Sequence, residues 1–266
     1  MILKIIHLNI ERSKHIDNVL NLLKEEKPDI VCFQEAMISD IKNIALKLNY
    51  QTAFAPRFLI KNNDGEDQEG SAILSKYSIL KIKNYKYNDK LPVNVPVYSE
   101  DEPISKKNVR PKNRFLFNYN LLTASIKNSE GKKITVATTH FPVVDHSAPG
   151  LADHELGSIK DINELEHADI YLERLISNIR LLNDPLIFTA DLNNARGEYV
   201  YDALAHELVD IVPNSIQSTI DPKLHRKSGL KLVVDTMMTS FNVSVKKFRI
   251  IEGISDHKAL ISLIDI

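Results

Sequence analysis

The chain has 266 residues, 43% of them hydrophobic and 26% charged, the make-up of a globular protein rather than a disordered or fibrous one. Its formal net charge is −1, so there is no chain-wide basic footprint for a polyanion, and a single cysteine, Cys32, excludes an intramolecular disulfide framework and a cysteine-cluster metal site. No apolar run reaches the ~18 residues that span a bilayer, and the opening Met1-Ile-Leu-Lys-Ile-Ile-His7 lacks the pattern of a secretion signal, so a cytoplasmic protein with no membrane segment is expected.

Residues 2–8 are dense in β-branched and apolar side chains and predict a buried strand. From Ser13 the spacing of Ile16, Val19, Leu20 and Leu23 predicts a helix, closed by Lys27-Pro28. A second buried strand follows at 29–34 and a second helix at 41–48. Strands are expected at 71–75, 79–87, 115–126 and 133–140, with Asn128-Ser-Glu-Gly131 as the turn between the last two. A long helix is expected over 159–182, where Leu165, Ile170, Leu172, Leu175, Ile176 and Ile179 supply the apolar positions. Strands at 186–190, 230–238, 243–251 and 258–264 complete the chain. This order predicts a single domain over residues 1–266 of α/β (α+β) type: two packed mixed β-sheets with helices on the outside. Two polar stretches, 88–113 and 142–158, break the pattern, and loops of that length in a compact domain usually serve function or move.

The ends of the strands carry the chemistry. A buried apolar strand has no packing reason to finish in carboxylates, amides and imidazoles, yet several here do. The first ends His7-Leu-Asn9-Ile-Glu11 and the second Cys32-Phe-Gln34-Glu35. Later ones end Thr138-Thr-His140 and Thr189-Ala-Asp191-Leu-Asn193-Asn194. Asp235 lies within an apolar run, and Ser255-Asp256-His257 opens the last strand. If the sheets bring these ends together they form one acidic pocket with histidines. Carboxylates with amide oxygens suit a hard divalent cation such as Mg²⁺, and imidazoles beside it suit proton transfer or stabilisation of developing charge.

In this order the residues resemble the endonuclease/exonuclease/phosphatase family, which includes DNase I-like nucleases, inositol polyphosphate phosphatases and neutral sphingomyelinases. The markers are Leu-Asn9, Gln34-Glu35, the Gly70-Ser-Ala-Ile-Leu-Ser75 strand, Thr139-His140, Ala190-Asp191-Leu-Asn193, Val234-Asp235 and Ser255-Asp256-His257. The resemblance implies a four-layer α/β sandwich and in-line attack of water on a phosphate ester, with Mg²⁺ as cofactor and Mn²⁺ as a substitute. It implies Glu35 as principal metal ligand, Asn9 holding the phosphate or the metal shell, and Asp256 supporting the metal side. Asp191 and Asn193 would orient the attacking water and touch the phosphate. His257 would face the phosphate, with Asp235 fixing its tautomer, and His140 would act on the phosphate oxygens or the leaving group.

Three residues keep two readings each. Glu11 is a second metal-side acid or a solvated helix-start residue. Glu69 pairs with His140, as a Glu at that place does in DNase I-like members, or is a loop acid. Arg114 grips a phosphate or is a surface arginine. The sequence departs from the family pattern where Asp235 is followed by Thr236 instead of an aromatic residue, and tryptophan is absent. His140 stands where the abasic-site endonuclease branch has Tyr, which points away from that branch. For substrate, nucleic acid is the first choice. A phosphomonoester or phospholipid is the alternative, as is an inactive binding protein on the same fold. The stretch 88–113 has Lys106, Lys107, Arg110 and Lys112, but also Asp89, Glu100, Asp101 and Glu102. His146 and His154 lie in 142–158 with no defensible metal spacing.

Overall fold

The computed structural model describes residues 1–62, 65–88, 97–99, 117–143, 162–183, 185–227 and 229–266. The elements in chain order are β1 (Ile2–Asn9), α1 (Ile16–Glu26), β2 (Ile30–Met37), α2 (Ile38–Leu48), β3 (Gln51–Asn62), β4 (Gly65–Ser75), β5 (Ser78–Lys86), β6 (Val97–Ser99), β7 (Asn120–Lys127), β8 (Lys133–His140), α3 (Ile162–Arg180), β9 (Leu186–Asp191), α4 (Tyr199–Glu207), β10 (Val209–Asp210), β11 (Asp235–Thr239), β12 (Ser244–Ile251) and β13 (Ala259–Asp265). They form a seven-stranded sheet ordered β12-β13-β1-β2-β4-β3-β6 and a six-stranded sheet ordered β10-β11-β9-β8-β7-β5. Parallel pairing of β1 with β2, and of β8 with β9, aligns their C-terminal ends.

Alternation along the strands decides what faces what. On β1 and β2, Leu3, Ile5, Ile30 and Cys32 join the core shared with the second sheet, while Ile6, Leu8, Val31 and Phe33 pack under Val19, Leu22 and Leu23 of α1 and Ile41 and Ile44 of α2. The face that carries Leu3 and Ile5 continues with His7 and Asn9, and the face that carries Ile30 and Cys32 continues with Gln34. The inter-sheet seam is therefore apolar at one end and polar at the other. Gln34 Nε2 donates across it to Thr138 Oγ1 at 2.7 Å, and Thr189 Oγ1 donates to the same oxygen at 2.9 Å. α3 and α4 join the core through Tyr171, Leu175, Val200 and Leu204.

The sequence reading holds for most elements and fails at a few. β3 was not expected; Pro56 removes a ladder donor within it, and the chain accommodates this where the β3–β4 register shifts between Pro56 and Phe58. Opposite that shift stands Gly70. A Cβ there would collide with the carbonyl oxygen of Ala55 and come within 2.9 Å of Pro56 Cα, so only glycine allows the two backbones this close. α4, with only 9 residues, was also missed. The expected strand 230–238 begins only at Asp235, because residues 232–234 instead give their carbonyls to Thr219, Arg196 and Leu192 N–H groups. Most of 88–113 and 142–158 lies outside the described residues.

Candidate active site

The polar seam ends in a cluster built from six segments of chain. Asp235 is its most buried acid, with no solvent exposure. Thr219 Oγ1 accepts hydrogen bonds from the Val234 and Asp235 backbone N–H groups, both at 3.1 Å, and so fixes where β11 begins. The two carboxylate oxygens of Asp235 serve two imidazoles: His257 Nδ1 lies 2.8 Å from Oδ2 and His7 Nε2 lies 3.1 Å from Oδ1. Burial opposes charge on His257, but Asp235 and then Asp191 raise its pKa well above the ordinary imidazole value. Burial likewise pushes Asp235 up, yet His257 and His7 reverse this and hold it well below the usual carboxylate range. The pair is an imidazolium–carboxylate couple whose Nδ1 is fixed, leaving Nε2 to face the cluster.

Asp191 is the hub. Its Oδ2 accepts a hydrogen bond from Asn9 Nδ2 at 2.9 Å and lies 3.6 Å from His140 Nε2 and 3.9 Å from His257 Nε2. Its Oδ1 accepts the Asn193 backbone N–H at 3.0 Å. Burial, and then repulsion from Asp235, push its carboxyl up to about 7 against the pull of His257, Asn9 and Asn193. Asn193 has φ +49°, the left-handed region that asparagine tolerates, and its Nδ2 donates to Phe141 O at 2.8 Å. Asn9 is committed at both ends, since its Oδ1 accepts the Glu11 N–H at 3.1 Å.

Glu35 reaches the cluster through a distortion of β2. The β2–β4 register shifts between Phe33 and Ala36, and Glu35 sits there at φ +51°, an expensive conformation for a residue with a Cβ. Its Oε1 is 3.9 Å from His140 Nε2 and 4.0 Å from Arg57 Nη2, outside hydrogen-bonding range. Burial opposes ionisation, but His140, Arg57, Arg12 and His257 around it hold the carboxyl down at about 2. His140 itself is neutral at pH 7: burial, reinforced by Arg57, takes its pKa to about 3, so at that pH the field on Glu35 comes from Arg57, Arg12 and His257.

Asn9, Glu35, His140, Asp191, Asn193, Asp235, Asp256 and His257 are thus brought to one end of the seam. Asp256 is half-buried and bonded to Ser255 Oγ at 3.2 Å. Its loop is tied down by Asp221, whose Oδ2 accepts the Gly253 N–H at 2.7 Å and whose own N–H donates to Asp256 O at 2.8 Å. Arg114 lies outside the described residues. Glu69, the expected partner of His140, instead binds Arg57: Arg57 Nε donates to its Oε1 at 3.2 Å and Nη2 donates to its Oε2. His140 Nδ1 has no partner among the described residues. Sequence reasoning gave no role to His7, Thr219, Asp221 or Arg57. His7 carried a signal, as a buried polar residue two positions before Asn9 on the same strand face. Arg57 carried only a weak one, a single cation inside Ala-Phe-Ala-Pro-Arg-Phe.

Comparison with known proteins decides the family. The family model described as Endonuclease/Exonuclease/phosphatase family matches residues 6–230. The chain belongs to that family. Family members are hydrolases of phosphoester bonds, generally metal-dependent. Among solved structures, the fold is shared with the endonuclease/exonuclease/phosphatase from Bacteroides vulgatus, at 16% identity and TM-score 0.69, covering 100% of this chain and 99% of that one. It is shared with D. rerio TDP2 complexed with single strand DNA product, at 15% identity and TM-score 0.65, covering 100% and 99%. The Bacteroides thetaiotaomicron mannosyl-6-phosphatase has the same fold at 14% identity and TM-score 0.63, covering 99% and 100%. A search of curated proteins found no match.

Two groups of side chains qualify for a metal by composition. Asp191, Asp235 and His257 each place one ligand atom within 4.8 Å of the others. Both oxygens of each carboxylate are, however, already engaged by hydrogen bonds or imidazoles, so this group is built for proton chemistry. Glu35 fits a hard cation better. Its carboxylate is ionised and accepts no hydrogen bond among the described residues. Burial raises the pKa of Asp256, and repulsion from Glu11 and Glu35 adds to this against the pull of His257. Acids whose fields repel one another are a donor set a divalent cation would relieve.

Proposed function

We propose that the protein is a Mg²⁺-dependent phosphodiester hydrolase acting as one domain over residues 1–266, with nucleic acid as its substrate. The observation that carries this reading is the His7–Asp235–His257 bridge set against Asp191, whose pKa near 7 suits a base at neutral pH. Asp191, oriented by Asn9 and the Asn193 N–H, accepts a proton from the attacking water. The His257 imidazolium, kept charged by Asp235, faces the phosphate oxygens as negative charge builds. Neutral His140 donates a hydrogen bond to a phosphate oxygen, and the Asn193 amide contacts the same group. Glu35 and Asp256, with Asn9 beside them, would hold Mg²⁺, which supplies neutralisation of charge on the non-bridging oxygens and the leaving group when bound. Similarity to TDP2 complexed with single strand DNA product supports the nucleic-acid substrate; similarity to a mannosyl-6-phosphatase supports phosphomonoesters as the second reading. No helix among the described residues is long and apolar enough to cross a membrane.

The test is hydrolysis of bis-p-nitrophenyl phosphate and p-nitrophenyl phosphate with Mg²⁺, Mn²⁺ or EDTA, beside His257→Ala. The expected result is diester cleavage that needs metal and falls by at least ~10² in the variant. Cleavage of the monoester alone would transfer the protein to the second reading. Metal-independent cleavage, or full activity in folded His257→Ala, would remove the mechanism.

A further inference from the structure

Arg57 is engineered into place more thoroughly than fold stability requires. It sits at the β3 register shift that Gly70 permits. Its Nε and Nη2 are both taken by Glu69, which has no solvent exposure, while the Arg57 side chain keeps 12%. Burying such a pair gains little stability over apolar residues of the same size. The guanidinium rests over the Phe58 ring, 5.0 Å from its centroid, and over the Tyr119 ring at 5.5 Å. Arg12 lies over the same Phe58 ring at 5.7 Å, and Tyr119 meets the His140 ring edge-on at 6.5 Å. The result is a row, Arg12–Phe58–Arg57–Tyr119–His140, that runs up to the cluster. Both rings are buried, at 3% and 6% exposure, so they carry the guanidiniums and are not surfaces on which bases stack.

Arg57 Nη1 has no hydrogen-bond partner among the described residues. A guanidinium pinned through two of its nitrogens, with the third uncommitted, is preorganised for an anionic oxygen. The row also fixes which anion. Arg57 approaches Glu35 at 4.0 Å, Glu35 connects through His140 Nε2 to Asp191 Oδ2, and His257 Nε2 lies 3.9 Å from that same oxygen, so Arg57 stands at the end of the chain of contacts remote from Asp235. A phosphate held at Asp191 and His257 leaves Arg57 facing the neighbouring group of the substrate.

We infer that Arg57, held by Glu69 and flanked by Arg12, is a specificity residue that binds a second phosphate adjacent to the scissile one, so that the enzyme prefers diesters bearing a further phosphate, as a polynucleotide backbone does. This rests on the hydrolase reading for its substrate but not for its binding test. Calorimetric titration of the full chain with thymidine 3′,5′-bisphosphate and thymidine 5′-monophosphate, with Mg²⁺ present, measures the preference. The wild type should bind the bisphosphate about tenfold tighter or more, as one charge-assisted hydrogen bond implies. In R57Q/E69Q, which removes both charges together, the ratio should fall to about threefold or less. R57K, which keeps the charge and loses the fork, should give an intermediate ratio and decides the matter if the double variant does not fold. Equal binding of the two nucleotides by the wild type, or a wild-type ratio in folded R57Q/E69Q or R57K, would overturn the inference. A wild type that shows the ratio but cleaves no diester would instead sink the hydrolase reading and leave the anion subsite standing.

Discussion

Asp235→Asn is the sharpest perturbation of the proposed mechanism, since it removes one charge and no volume. Asp235 has no solvent exposure and satisfies two imidazoles with two oxygens, at 2.8 and 3.1 Å. Asparagine has one oxygen, so one imidazole must face an NH₂ group. The amide can serve both only if His7 turns to the other tautomer and accepts. A buried charge stripped of its partner costs about 3–5 kcal/mol, more than His257 loses by giving up its proton, so the variant should fold with a neutral His257. If that imidazolium stabilises the transition state by a comparable amount, kcat falls by roughly two to four orders of magnitude. The pH profile gives a second readout. In the wild type, activity should rise through the Asp191 ionisation near pH 7 and fall only when His257 loses its proton at alkaline pH. In Asp235→Asn the alkaline limb should move at least about one pH unit toward neutrality, one unit being 1.36 kcal/mol of lost charge stabilisation. Steady-state hydrolysis of bis-p-nitrophenyl phosphate between pH 5 and about 10, with circular dichroism to check folding, measures both effects. A folded variant within threefold of wild-type kcat/KM, with an unmoved alkaline limb, would refute the assignment.

Further outcomes follow from other parts of the site. Glu35→Gln should weaken Mg²⁺ binding at least ~10-fold in calorimetric titration, and an unaltered titration removes Glu35 from the metal site. His140 is buried neutral with its pKa lowered to about 3, whereas the unfolded residue titrates near 6.5. Between those values the unfolded chain binds the extra proton, so this residue's contribution is present above pH ~6.5 and is lost as pH falls, by up to about 1.4 kcal/mol per unit. His140→Gln should flatten that slope in urea unfolding series, and an unchanged slope contradicts the burial argument. Gly70→Ala should destabilise the chain by ~1–3 kcal/mol through overpacking against Ala55 and Pro56; a wild-type urea midpoint would mean the β3–β4 backbones separate freely.

The strand ends were legible because burial and polarity conflict there: His7-Leu-Asn9, Gln34-Glu35 and Thr189-Ala-Asp191 follow residues that only a core accommodates. Dense runs of β-branched and apolar residues then identified which strands were buried and hence which ends mattered. Arg57 was illegible for the opposite reason. Its partner Glu69 is twelve positions away and becomes a neighbour only through β3–β4 pairing, a strand pair that Pro56 disguised. The left-handed backbone at Glu35 was likewise invisible, since nothing in Phe33-Gln-Glu-Ala36 announces a bulge; the strain is tolerated because β1 and β4 hold β2 on both sides. The segment 219–224 drew no reading because its work is done by backbone bonds to Thr219 and Asp221, which a sequence does not display.

The pairing of β13 beside β1 has a consequence for synthesis and turnover of the protein. Ile2 to His7 pair with Asp265 to Leu260, so an interior strand of the first sheet is supplied some 250 residues after its partner. On a ribosome the N-terminal strand waits with one edge unpaired until some 250 further residues have emerged. The polar cluster closes at the same moment, because His7 and His257 meet on Asp235 only then. A chain that stops before β13 therefore leaves one edge of β1 unpaired and never brings His257 to Asp235.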